Sequence, residues 1–415
     1  MQAAFLLLAA IWTALPASAD TFNVTSASCI ESGSITQAMS DANANPGEDT
    51  ISIQAGLEIS LNDCFLVPPR DPSKSYAVQA LESVTIEGNG ATLKAQQGWI
   101  SQGGIVNPDG CPSWDGYLII ALAPGFLLVG QGGVDNSAIE VKIQDLNTTG
   151  LPAFTRVNDR AQLDIDTVHL DETQDAFREC TRSAIEGARG SEISLRNSII
   201  SNFKNFGKYT DKAFSFAAVT GLDTNIDIEN TVFKKDIVSA SLPGAAILAV
   251  GGRVRIVSSL FEWSGGLSFV GSFMGASSAQ IVNSGFTIAA DNLETDRIFA
   301  GASSTVDFKA STIVTVFASC SRCPSLDAQS MPLLANGGIF NLSESAVGAL
   351  SDIQGVGLLG VEGGGSFSAD PLTYVQPIAA QDAAALRALT GQPAPLSGSA
   401  SRTTRSTSAT LRRSS

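Results

Sequence analysis

Three hexapeptides in the middle of the chain repeat their ionisable positions. "LDIDTV" from Leu163, "ISLRNS" from Ile193 and "IDIENT" from Ile226 set Asp166, Arg196 and Glu229 at one shared position, with Asp164 two residues before Asp166. Carboxylates so placed could hold Ca²⁺, the cation could neutralise a uronate, and the arginine could abstract a proton or stabilise an enolate. If the segments stack, the same residues form a ladder of opposite charges worth about 0.2–1 kcal/mol per pair. We adopt the ladder as the reading. Asp164, Asp166, Arg196 and Glu229 remain the catalytic candidates should a site exist.

Other reactive residues offer less. Glycoside hydrolysis needs two carboxylates facing a cleft, and no such pair stands out. His169 is the single histidine and reads as a surface or corner residue. "DETQD" brings Asp171, Glu172 and Asp175 together, but lacks the glycine and terminal glutamate of an EF-hand loop. Trp99, Trp114 and Tyr117 lie in a long insertion; they could stack on sugar rings or pack as a local core near Cys111. No metal or cofactor site is assigned, and Ca²⁺ enters only with the lyase alternative.

The chain has six cysteines. Cys29 and Cys64 flank an opening helix and strands and are the first expected disulfide; Cys111 with Cys180 is the second. Cys320 and Cys323 form "SCSRCP", read as a small loop-closing disulfide. Redox use is disfavoured because no βαβ unit surrounds it, and zinc because no second pair exists. Sequons occur at Asn23, Asn147 and Asn341.

The elements that would position the charges come from a repeat. "VKIQDL" from Val141 precedes the three hexapeptides, and "VRIVSS" from Val254, "AQIVNS" from Ala279, "VDFKAS" from Val306 and "FNLSES" from Phe340 follow them. Successive starts lie 22, 30, 33, 28, 25, 27 and 34 residues apart. Each alternates apolar and variable residues and ends mostly in a small polar pair. The alternation has strand period, and the spacing is in the solenoid range. The fold this specifies is all-β: a single-stranded right-handed parallel β-helix. One inward column runs Val141, Leu163, Ile193, Ile226, Val254, Ala279, Val306 and Phe340; the second lies two residues further on. Asn197, Asn230, Ser258 and Asn283 should stack at one corner, bonding each other and buried turn amides. "VTIEGNGATLKA" from Val84 reads as an earlier coil with a Gly-Asn-Gly turn. Roughly ten coils would make a rod on the order of 50 Å long.

Such a rod exposes an apolar core and unpaired strand edges at its end. "GSITQAMSDANANPGEDTISI", residues 33 to 53, supplies a cover. Ser34 and Gln37 fit a capping box. Ile35, Ala38, Met39 and Ala42 fall on one helical face, and Pro46-Gly47 stops the helix. This stretch resembles the N-terminal cap of secreted β-helix proteins with a "G-S-L-R-Q-A-I-x-x-A-N-x-x-P-G-x-D-T-I" signature, such as pectate-lyase-like and polymorphic outer-membrane-like surface proteins. It matches at Gly33, Ser34, Gln37, Ala38, Ala42, Asn43, Pro46, Gly47, Asp49, Thr50 and Ile51, and departs at Ile35, Thr36 and Met39. The resemblance implies the fold and a surface setting, not a chemistry. "SADPL", from Ser368 to Leu372, resembles the way such helices end. Polygalacturonase-like enzymes share the fold but carry "NTD", "DD" and "GHG", which this sequence lacks.

The 415 residues carry a net charge of -15. Four arginines and no acid lie in the last eighteen residues, so the body before them carries -19. That charge repels nucleic acid, anionic membrane and any polyuronate not bridged by a cation. Residues 1–19 read as a signal peptide, with "AFLLLAAIWTAL" as its apolar core and "ASA" before Asp20. No membrane span is expected in the mature chain. Residues 20–375 form the β-helix, with the cap over about 20–66. Residues 376–415 hold a short helix candidate, "DAAALRALTG", and a disordered Ser/Thr/Arg-rich tail. The expected role is a non-catalytic extracellular protein for adhesion or contact with carbohydrate, its partner a polysaccharide or cell-surface glycan. The alternative is a pectate-lyase-like lyase, or a glycoside hydrolase, acting on an acidic polysaccharide.

Overall fold

A computed structural model describes residues 19–61, 64, 76–95, 125–151, 153–171, 183–201, 217–235, 244–264, 268–290, 297–317, 333–350 and 358–378. Nearly all the gaps between these segments fall after the last strand of one coil and before the first strand of the next.

The chain is a parallel β-helix. One repeating coil runs Ile185–Ala188, Glu192–Arg196, Ile199–Ser201; the next runs Ala217–Leu222, Asn225–Glu229, Val232–Lys235. The first strand of each coil joins a ten-stranded sheet, and the other two form adjoining faces of a twenty-stranded sheet. Every ladder pairing in both sheets is parallel, because each strand hydrogen-bonds to its counterpart one turn on.

The expected register holds on the first of the two adjoining faces. Leu163 pairs with Ile193, Ile193 with Ile226 and Ile226 with Val254; Ile165, Leu195, Ile228 and Ile256 follow two residues on. The column continues through Ala279 and Val306 to Phe340. All of these side chains are buried in one continuous core. The "VTIEGNG" coil is a single strand, Val84–Lys94, bent where Asn89 and Gly90 take φ of 52° and 72°. On the second face, Phe261 stacks between Phe233 and Phe286, ring centroids 4.7 and 4.5 Å away.

The corner between these faces is built differently from the sequence expectation. Asn197, Asn230, Ser258 and Asn283 do stack, each with φ near 50°, but they are exposed. Their side chains bond one another, Asn230 Nδ2 to Asn197 Oδ1 at 2.8 Å and Asn283 Nδ2 to Ser258 Oγ at 3.2 Å. The buried member is the next residue. Ser259 donates its hydroxyl to the Val257 carbonyl and accepts the Thr231 N–H; Ser284 does the same for Val282 and Ser259, and Ser311 for Lys309 and Ser284. A left-handed residue turns its side chain out to water, so the amide that needs a partner falls to the residue after it.

The helix Ile35–Ala44 closes one end, with Ile35, Ala38, Met39 and Ala42 buried. Ser34 caps it by accepting the Gln37 N–H. Gln37 does not reach back as a capping box requires; its amide donates forward to Asp41 at 2.7 Å. Asn43 ties the helix to the first coil, donating to the Gln79 carbonyl and accepting the Leu81 N–H, both at 2.7 Å. The Cys29–Cys64 disulfide forms as expected, with Cα atoms 5.4 Å apart. Cys111, Cys180, Cys320, Cys323, Trp99, Trp114, Tyr117, Glu172, Asp175, the leader (save Ala19) and the tail lie outside the described residues. Pairing continues past residue 375, since the strand Tyr374–Ile378 joins Ala346–Leu350.

Candidate functional site

The outward side of the first face carries three columns of side chains. Register fixes them. The outer residue before the first apolar column gives Glu140, Gln162, Glu192, Asn225 and Arg253. Between the apolar columns lie Lys142, Asp164, Ser194, Asp227 and Arg255; after the second come Gln144, Asp166, Arg196 and Glu229.

The structure brings all four candidates onto this face, then commits three of them to neighbours. Arg196 lies between Asp166 and Glu229 in its own column, but it pairs diagonally with Asp164 through Nη2 and Oδ2. That hydrogen bond first, and the Asp164 charge second, hold the Arg196 pKa above its ordinary value, with Asp166 and Glu229 adding to the effect. An arginine stabilised in its protonated form is a poor proton acceptor. Asp166 accepts from Asn197 Nδ2 at 2.8 Å and Thr167 Oγ1 at 2.9 Å. Glu229 is exposed, and its carboxylate makes no hydrogen bond or ion pair among the described residues.

Two further basic residues lie on this face. Lys142 stands beside Asp164 in register, yet its ammonium pairs with Glu140 at 3.1 Å within its own strand. This hydrogen bond is the main cause of its raised pKa. Arg255 stands beside Asp227 and does pair with it, Nη1 reaching both carboxylate oxygens at 2.8 and 3.0 Å. His169 is exposed on the second face, its Nε2 3.3 Å from Ser201 Oγ. Among the described residues no group of three His, Cys, Asp or Glu side chains is arranged to hold a metal.

The concave part of the face includes Asp164 and lies to one side of the column that holds Asp166, Arg196 and Glu229. A depression of about 400 Å³ is lined by Glu140, Asp164, Glu192, Asn225, Arg253 and Arg255, among others. Within it Glu192, Asn225 and Arg253 occupy successive coils of one column. Glu192 and Arg253 are exposed and have no ion pair among the described residues. Reading the repeat one residue further toward the N-terminus would have found this column, because that residue also points outward.

No protein-family model matches the chain. No curated protein matches it by sequence. Among solved structures, two of PfbA, a surface adhesin of Streptococcus pneumoniae, align over most of both chains. One shares 11% identity over 88% of this chain and 91% of its own, with a TM-score of 0.34. The other shares 10% identity over 82% and 95%, with a TM-score of 0.27. Similarity of that size carries no inference about what this chain binds.

Proposed function

We propose that this is a non-catalytic extracellular β-helix protein whose first face contacts a hydroxyl-rich glycan. The supporting observation is the division of labour on that face. Arg196 and Arg255 are engaged by Asp164 and Asp227, so neither guanidinium is left without a counter-charge. Beside them the depression offers one carboxylate, one amide and one guanidinium in a line, from Glu192, Asn225 and Arg253. Such a set accepts from and donates to sugar hydroxyls without needing a charged ligand. The acidic body disfavours polyuronates. The alternative, a Ca²⁺-dependent lyase acting through Asp164, Asp166, Arg196 and Glu229, would need Arg196 to leave Asp164.

The test is a glycan array run beside an ultraviolet assay for unsaturated uronates, with and without Ca²⁺. Binding to neutral glycans with no elimination product supports the proposal. Turnover of an acidic polysaccharide overturns it in favour of the lyase.

A further inference from the structure

The first described strand begins where the sequence places the end of the leader. Thr21–Val24 pairs with Asp49–Ile53, and the Thr50 N–H donates to the Asp20 carbonyl at 2.8 Å. One step earlier, the Asp20 backbone nitrogen donates to Asp49 Oδ1 at 2.9 Å. Asp49 is a carboxylate inside the cap, 1% exposed. Oδ1 also accepts from Asn45 Nδ2 at 2.9 Å. Oδ2 is buried and has no hydrogen-bond partner among the described residues. None of the ion pairs in the described structure involves Asp49.

A buried carboxylate with one unpaired oxygen and no cation is costly, and native proteins seldom keep one. Asp49 has a neutral amide where a cation would complete it. We infer that the site is built for the product of processing: hydrolysis of the Ala19–Asp20 bond turns that amide into an ammonium, and the ammonium pairs with Asp49. A secretory peptidase and one water suffice. The water oxygen goes to the Ala19 carboxylate, and the Asp20 nitrogen takes up protons to become –NH₃⁺. An ordinary α-amino group has a pKa of about 7.7–8.0 and is mainly charged at neutral pH. Its first N–H keeps the bond to Oδ1; a second becomes available to Oδ2 of the same carboxylate. The Asp20 side chain is already held aside by Asn45 Nδ2 at 3.2 Å.

Cleavage thus tightens the cap at the end of the rod that the helix Ile35–Ala44 covers. Before cleavage that ion pair cannot form, because the Asp20 nitrogen is an amide. This inference concerns the cap and does not depend on what the first face binds.

The experiment uses the secreted protein and its N-acetylated counterpart. Mass spectrometry should find the mature chain starting at Asp20. Acetylation of the α-amino group should lower the melting temperature by a few degrees, and a mature chain that retains Ala19 should behave like the acetylated one. Asp49→Asn should lower the melting temperature of the free-amine form and remove its advantage over the acetylated form. An N-terminus elsewhere, equal melting of free and acetylated wild-type chains, or a difference that persists in Asp49→Asn would overturn the inference. If Asp49→Asn does not fold, the comparison of free, acetylated and Ala19-retaining chains decides it alone.

Discussion

The outward side of the first face and the outward side of the ten-stranded sheet face different surroundings. The first face is wet and carries charges at Asp164, Asp166, Arg196, Asp227, Glu229 and Arg255. On the ten-stranded sheet, register aligns Leu128, Arg156, Glu186, Thr220, Leu248, Ser272, Phe299 and Leu334 in one outward column. Leu128, Leu248 and Leu334 there are at most 5% exposed. Leu248 packs with Ala217 and Ala245 in a cluster separate from the main core. Parallel strands covered on both sides contribute burial twice per strand; strands covered on one side leave a surface free to vary. Leu128, Leu248 and Leu334 thus add buried area on the outward side of the ten-stranded sheet, while the first face keeps its outward side open to solvent.

The largest expected contrast comes from truncating one aliphatic side chain on each of the two outward sides. Leu248→Ala should cost about 2–5 kcal/mol, whereas Val257→Ala, outward on the first face, should stay within about 0.5 kcal/mol. Chemical denaturation of the two variants checks this. Similar losses would break the distinction between the sheets.

A second contrast lies within one corner. Ser284→Ala strands the Ser259 N–H and should cost about 1–3 kcal/mol. Asn283→Gly keeps the left-handed backbone accessible and should change stability by no more than about 0.5 kcal/mol. If Asn283 proved the costlier residue, the buried hydroxyl column would not be the support described.

These contrasts also show what was legible in the sequence. The two apolar columns of the first face could be read because a wet outward side forces alternation. The strands of the ten-stranded sheet, such as "GFLLV" at Gly125–Val129, are buried on both sides and lose that alternation, so the repeat gives no register for them. The corner asparagines were visible as a small polar pair, but which member is buried depends on a left-handed φ that composition does not report. The stacking of Asp166, Arg196 and Glu229 follows from the repeat. The diagonal reach of Arg196 to Asp164 does not, since it is set by side-chain length and not by register.

Smaller effects sharpen the picture of the wet face. Arg196→Ala should cost at most about 1 kcal/mol, because the pair it breaks is part exposed; a larger loss would make the ladder structural. The smallest effect concerns Asp370, near the last described coil. Its carboxylate accepts from Thr373 Oγ1 at 2.8 Å and from the Glu344 and Leu372 N–H groups, and these bonds lower its pKa, the Thr373 bond most. Its contribution is then full above the unfolded value of about 3.9 and is lost as pH falls through the lowered folded value. A slight acid-side destabilisation should be seen in the wild type and be absent from Asp370→Asn.

On the proposed function, the first face binds a glycan without catalysing. The most direct test measures glycan affinity and Ca²⁺-dependent uronate elimination for the wild type, Arg196→Ala and Arg253→Ala, with folding checked by circular dichroism. No elimination is expected from any of them, with unchanged affinity in Arg196→Ala and affinity lost about tenfold or more in Arg253→Ala, as expected for a charge-assisted contact of roughly 1.5–3 kcal/mol. Elimination by the wild type that disappears in a folded Arg196→Ala would contradict the proposed function.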